Sequence, residues 1–309
     1  MLRSSIVLIL ASLAAAAQGV ETTQQHTRTK DVIYGRKYGM ALTLDVFTPK
    51  RGANGCGVIF VSSLGWGSTH ELADNMPVGE LLEHGYTVFA VAHGSKPKFT
   101  IPEAIEDMHR AVRFIRSHAK DYSIKGDCIG ATGVSSGGHL SLLLGTSGRE
   151  GDPAAKDPLE RVSSRVQAVA CFFPPTDFLN YGVVGEDAIG RGILEYYRPA
   201  FDFHKLNAST KTFERIIDEK RIREIGRRIS PITHVSEDDA PTLIIHGDAD
   251  MMVPIQQSET FLKKLEDAGV HASLVVKPGA SHIFKGWKDD MPTIADWFDK
   301  HLKGPAGTD

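Results

Sequence analysis

Three observations predict an α/β fold with a mostly parallel central sheet for this chain. Short β-branched runs alternate with stretches of helical periodicity, the pattern that gives parallel strands joined by right-handed crossovers. Runs such as Leu243-Ile244-Ile245 and Leu274-Val275-Val276 are apolar without interruption, as strands buried on both faces are. The 309 residues, less a leader, suit one large domain with a substantial core.

In chain order, residues 31–36 and 40–47 form an expected antiparallel opening pair around Lys37-Tyr38-Gly39. Later strands are expected at 56–62, 86–92, 129–134, 166–173, 242–246 and 272–277. Within 102–119 the apolar residues Ile105, Met108, Val112 and Ile115 recur at steps of three and four, and Pro102 suits a first helical turn. Residues 254–268 and 292–301 have the same pattern, the former ended by Gly269. The stretch 175–230 breaks the alternation and is expected to be a helical cap inserted after the sixth strand. In its second half, 211–228, the residues Phe213, Ile216, Ile217, Ile222 and Ile225 stand at helix-like spacing amid charge of both signs, which predicts an amphipathic lid. Arg221, Arg223, Arg227 and Arg228 could attract acidic sugars or simply face solvent. Tyr196, Tyr197, Phe201 and Phe203 suit either a substrate pocket or the aromatic core of the cap.

Residues 1–19 carry Arg3, an apolar run from Ile6 to Ala17 and an Ala-x-Ala-like end, the pattern of a signal peptide. That run is too short to span a bilayer, so a secreted or periplasmic protein without a membrane span is expected. A net charge of −3 and the lack of a basic stripe argue against nucleic acid. The three cysteines, Cys56, Cys128 and Cys171, fall on expected strands and are expected to be buried as small apolar residues. An odd count leaves a free thiol in any pairing.

The chemistry concentrates in Gly133-Val134-Ser135-Ser136-Gly137, a G-x-S-x-G motif between an expected strand and an apolar, helix-compatible stretch. Such a turn holds a serine hydroxyl above the sheet, at the positive end of the following helix. A hydroxyl needs a general base and a group to orient it. An acid and a histidine each follow a later strand at its carboxyl end, the edge where open α/β sheets place their sites. Asp248 and Asp250 compete for the acid. Asp250 is favoured, since Asp248 directly follows Gly247 and suits a turn role. His282, after Gly279-Ala280-Ser281, is the expected base. His246 is expected to be a strand-end structural residue, His139 to pack against the sheet rather than titrate, and Asp177 to shape a turn.

With these residues in view, the chain resembles secreted serine esterases of the α/β-hydrolase fold, closest to the bacterial acetyl- and feruloyl-esterase-like group. The resemblance rests on 104–116, the elbow with its trailing Gly137-Gly138-His139-Leu140, 230–253 and Gly279 to His282. It covers most of 30–303 and is poor over 175–230. It implies Ser135 as nucleophile, Asp250 as orienting acid and His282 as base, an α/β-hydrolase domain over 20–309, and ester hydrolysis without metal or cofactor. Such esterases carry His-Gly-Gly-Gly after the third strand to help hold the oxyanion. Here Ser62-Ser63-Leu64-Gly65 stands in its place, so the expected donors are the amide of Ser136 and that of Leu64 or Gly65. The alternative is a plain turn with Trp66 packed on the cap. A peptidase of the prolyl-oligopeptidase type shares the order of the three residues, and a non-catalytic binding protein could share the fold.

Overall fold

The computed structural model describes residues 25–303. The proposed leader, residues 1–19, lies outside the described residues.

Two long strands, β1 (His26–Lys37) and β2 (Met40–Pro49), pair antiparallel through the tight turn at Tyr38-Gly39. Next come β3 (Gly57–Ser62), the short helix α1 (Gly79–Glu83) and β4 (Thr87–Ala92). They are followed by α2 (Ile101–Ser117), β5 (Ile129–Val134), α3 (Ser136–Thr146) and β6 (Ala168–Phe172). The cap then contributes a 3-10 segment (Gly192–Phe201), the hairpin β7 (His204–Leu206) and β8 (Phe213–Arg215), and α4 (Glu219–Arg228). The chain returns to the body with β9 (Thr242–Gly247), α5 (Gln256–Asp267), β10 (Ala272–Lys277) and α6 (Met291–Leu302). The eight-stranded sheet has the order β1-β2-β4-β3-β5-β6-β9-β10. Its pairs are parallel except those that β2 makes with β1 and β4.

Side-chain alternation builds the three layers. On β3, Val58 and Phe60 point to one face and Ile59 and Val61 to the other; on β9, Leu243 and Ile245 oppose Ile244. One face is covered by α1 and α6 through Leu81, Leu82, Ile294 and Phe298. The other is covered by α2, α3 and α5 through Met108, Val112, Leu140, Leu143 and Phe261. Cap residues Phe178, Leu194, Phe201 and Ile225 belong to this second core. The cap is therefore packed onto the body rather than hung over it.

Two expectations need correction. The stretch 211–228 is not one helix. Asn207 turns the chain by accepting the amides of Ser209 and Thr210, Phe213 joins β8, and Ile217 is 78% exposed. The helix begins only after Asp218, whose carboxylate caps the Arg221 amide at 2.8 Å. The cap is thus mixed rather than purely helical. Its arginines are partly spent within it, Arg221 on Glu224 and Arg223 on Asp187.

The cysteines are all buried, but Cys56 and Cys128 form a disulfide with Cα atoms 4.9 Å apart, leaving Cys171 free. The cause is register: Gly57 pairs with Ile129, so the residue before each strand meets its counterpart on the neighbouring strand. A separation of 72 residues hides this in the sequence. A cross-link closing a loop of that size contributes about 2–4 kcal/mol. Reduction, or replacing both cysteines with alanine, is expected to lower the urea unfolding free energy by that amount. Before reduction, the unfolded chain should take up iodoacetamide at Cys171 alone.

Candidate active site

The site lies at the carboxyl edge of the sheet, where β5, β9 and β10 each deliver one side chain. Ser135 turns the chain from β5 into α3 with φ 52° and ψ −118°, a strained backbone for a residue with a side chain. Two close approaches allow the turn. A Cβ on Gly133 would lie 2.5 Å from the Gly137 carbonyl carbon, and one on Gly137 would lie 2.8 Å from the Val61 oxygen. The Ser135 amide donates to the Phe172 carbonyl at 3.0 Å, which anchors the elbow to β6.

His282, in the loop after β10, has Nε2 3.0 Å from Ser135 Oγ and Nδ1 2.6 Å from Asp250 Oδ2. A carboxylate only accepts, so Nδ1 carries the hydrogen and Nε2 is left to accept from the serine hydroxyl. The Phe173 ring packs edge-on against the imidazole, centroids 4.8 Å apart, and fixes its plane. The loops carrying acid and histidine meet through the Ala249 amide and the Ala280 carbonyl at 3.0 Å. Asp248 instead accepts the Gly279 amide at 2.6 Å and shapes the turn, while Asp250 reaches the imidazole.

Asp250 is buried and saturated with donors. Its Oδ1 accepts the amides of Met252 and Val253 at 2.8 and 2.9 Å. Its Oδ2 is shared by His282 and by His246 Nε2 at 3.2 Å. Burial pushes this carboxyl up, but hydrogen bonds from His246, His282 and the Val253 amide outweigh it and hold it well below the ordinary carboxylate range. His246 is wholly buried. Its Nε2 also faces the Val253 carbonyl at 2.9 Å, so both neighbours of Nε2 are acceptors and it must carry the hydrogen. Ser258 of α5 lies 2.6 Å from Nδ1 and can donate to it. His246 is thus a strand-end residue as expected, but it also clamps the acid. A histidine four residues before an acid, across a strand-to-loop junction, carries no periodicity that would reveal this.

On the opposite side of Ser135, Ser136 opens α3, and first-turn amides have no partner within their helix. Its hydroxyl lies 3.0 Å from that of Ser63, which ties the elbow to the loop after β3. In that loop the expectation for Leu64 is corrected. Its amide donates to the Gly67 carbonyl at 2.9 Å, and the Gly67 amide donates back at the same distance. Gly65 and Trp66 between them both have positive φ, 53° and 58°, as the centre of a type I′ turn requires. Leu64 is thus already committed, and the Gly65 amide makes no hydrogen bond among the described residues. Trp66 tolerates its backbone because its indole is locked. The ring packs on Phe178, Phe201 and Tyr197, and Nε1 donates to His139 Nδ1 at 3.1 Å. His139 Nε2 in turn donates to the Ile229 carbonyl at 2.7 Å. Burial lowers the His139 pKa to about 4, which keeps it neutral for both bonds. It packs, as expected, though against the cap and the loop rather than the sheet.

The BD-FAE family matches residues 44–265. The chain belongs to that family. The protein described as "Probable carboxylic ester hydrolase LipM" of Mycobacterium tuberculosis is 28% identical over 262 residues, covering 82% of this chain and 56% of its own. Esterase LipQ of the same organism is 28% identical over 67% of this chain and 45% of its own. The chain spans about half the length of these curated relatives. Among solved structures, a truncated carbohydrate esterase from gut microbiota superposes with a TM-score of 0.70 at 25% identity, covering 89% of this chain and 98% of that one. A thermophilic esterase from Thermogutta terrifontis, at 21% identity and a TM-score of 0.64 over 89% of this chain and 92% of its own, shares the α/β-hydrolase fold.

A hydrogen bond to a charged group contributes about 1.5–3 kcal/mol, or roughly ten- to a hundredfold in rate where the loss falls on a transition state. Replacing His246 with leucine is expected to lower kcat on an activated ester by that factor with little change in KM. His246→Gln, which keeps a donor near Nε2, should retain most of the rate. Equal losses in both variants would make the contact a matter of packing alone.

Proposed function

We propose that this protein is a secreted serine carboxylesterase of short-chain acyl esters, including acetylated saccharides or hydroxycinnamoyl esters. The observation that carries the reading is the continuous hydrogen-bonded line from Ser135 Oγ through both nitrogens of His282 to the buried Asp250 carboxylate. His282 takes the Ser135 proton as Oγ bonds to the ester carbonyl carbon. Asp250 holds the imidazole in the tautomer this needs and stabilises the imidazolium that forms. The carbonyl oxygen, now negative, is held by the Ser136 amide, with Gly65 the candidate second donor. The tetrahedral intermediate collapses and His282 returns its proton to the departing alcohol. Water, deprotonated by His282, then attacks the acyl-enzyme, and as the second intermediate collapses Ser135 Oγ leaves and takes that proton back from His282, releasing the acid. These steps call on no metal or cofactor.

Membership of the BD-FAE family and the ester-hydrolase names of the relatives support the reaction class. The carbohydrate esterase among the structural neighbours supports a saccharide ester. Export is motivated by the leader-like residues 1–19 and supported by the Cys56–Cys128 disulfide, since such bonds persist in oxidising compartments. No helix among the described residues is long and apolar enough to cross a membrane.

Turnover of p-nitrophenyl acetate against a peptide p-nitroanilide tests the reading. The ester should be strongly preferred, and Ser135→Ala should lower kcat on the order of 10⁴–10⁶-fold. Preference for the anilide would make the protein a peptidase. Undiminished turnover by Ser135→Ala would place the nucleophile elsewhere.

A further inference from the structure

The esterase reading leaves open what the site recognises beside the scissile bond, and one cation there has no carboxylate partner among the described residues. Lys96 follows β4 at the same edge of the sheet as Ser135. Ser62 pairs with Ala92 and Phe60 with Thr132, so the ends of β4, β3 and β5 are level. Two strand spacings, about 10 Å, separate β4 from β5, and Lys96 and Ser135 each follow the end of one of them.

The loops after β3 and β4 are fastened into one surface. The Lys96 amide donates to the Trp66 carbonyl at 3.3 Å. Ser68 Oγ donates to the Ser62 carbonyl and accepts the His93 amide, and the Ser68 amide donates to Ser95 Oγ. The Lys96 backbone is therefore tied to the same loop that touches Ser136 through Ser63.

The Lys96 ammonium is held by rings rather than by acids. It lies 4.6 Å from the Tyr197 ring centre and 5.8 Å from that of Tyr196. Tyr197 roofs the oxyanion turn so closely that a Cβ on Gly65 would lie 2.3 Å from it. Tyr196 stands edge-on to Tyr197 and is 83% exposed. Nearby Lys37 is paired with Asp107, whereas Lys96 forms no ion pair among the described residues. Partial burial lowers its pKa, with no carboxylate acting against that. An anion arriving here would meet a cation already stripped of some water.

We propose that Lys96, Tyr196 and Tyr197 form a subsite for a carboxylate-bearing sugar, so that the preferred substrates are esters carried on uronic-acid-containing saccharides. The flat, open face of Tyr196 can pack the C–H face of a pyranose, and the Lys96 ammonium can pair with the carboxylate of that ring. Tyr197 sets both and links them to the oxyanion turn. The inference rests on the esterase reading for catalysis, but its binding half can be tested apart from turnover.

Full-length Ser135→Ala protein should bind tri-galacturonate about tenfold more tightly than neutral xylotriose by calorimetry. Lys96→Met in that background should erase the difference, and Lys96→Arg should restore most of it. In the active protein, the ratio of kcat/KM for acetylated oligogalacturonate over acetylated xylo-oligosaccharide should fall about tenfold on Lys96→Met. Equal binding of both sugars, or a preference that survives Lys96→Met, overturns the subsite. If the acidic sugar binds as expected but neither ester is turned over, the subsite stands and the esterase reading fails.

Discussion

The buried charge on Asp250 is the constraint around which the site is organised. A carboxylate withdrawn from water is costly unless donors replace the water, and here four do so. Two are amides of its own loop, one is His282, and one is His246. Each belongs to a segment that must be in place before the charge is tolerable. The β9 loop supplies the amides, the loop after β10 supplies His282, and α5 supplies the Ser258 hydroxyl that can fix the tautomer of His246. Satisfying one carboxylate thus sets the mutual position of three successive segments, the loop after β9, α5 and the loop after β10.

The serine side of the site is held by shape rather than charge. The elbow depends on backbone passing where a methyl group would not fit, at Gly133 and Gly137. Around it, Trp66 and His139 join the loop after β3, the helix after the elbow and the end of the cap at Ile229. The cap shares its apolar core with α3, so the walls of the site are fixed by the same packing that stabilises the fold. A preformed site of this kind spends little binding energy on ordering itself, which leaves that energy for the transition state.

Much of this is legible in the sequence, for identifiable reasons. Short runs rich in apolar residues identify strands, which is why 129–134 and 272–277 coincide with β5 and β10. β5 is buried on both faces as such runs suggest. β10 is instead the edge strand of the sheet, partly exposed along its length with Val276 42% exposed, so the expectation of a strand buried on both faces at 274–276 is corrected. Ser135, Asp250 and His282 stand out because each follows such a run, and the structure brings their side chains together. What is missed depends on contacts across the chain. Cys56 and Cys128 become partners only once β3 and β5 are neighbours. The Leu64 amide is lost to Gly67 because a I′ turn forms, and that turn is held by a tryptophan whose packing lies on the cap. Within 211–228, helix-like spacing misleads because local capping by Asn207 and Asp218 decides the boundaries. His246 is visible as a strand-end residue, but its grip on Asp250 requires the loop to fold back.

In the proposed reaction Ser135 is a nucleophile poised by His282 and Asp250. Peptide mapping by mass spectrometry after brief exposure to a fluorophosphonate tests it most directly. A single stoichiometric adduct is expected on Ser135, forming far more slowly in His282→Ala and in Asp250→Asn. An adduct on another serine, or equally fast labelling of Ser135 in both variants, would contradict it.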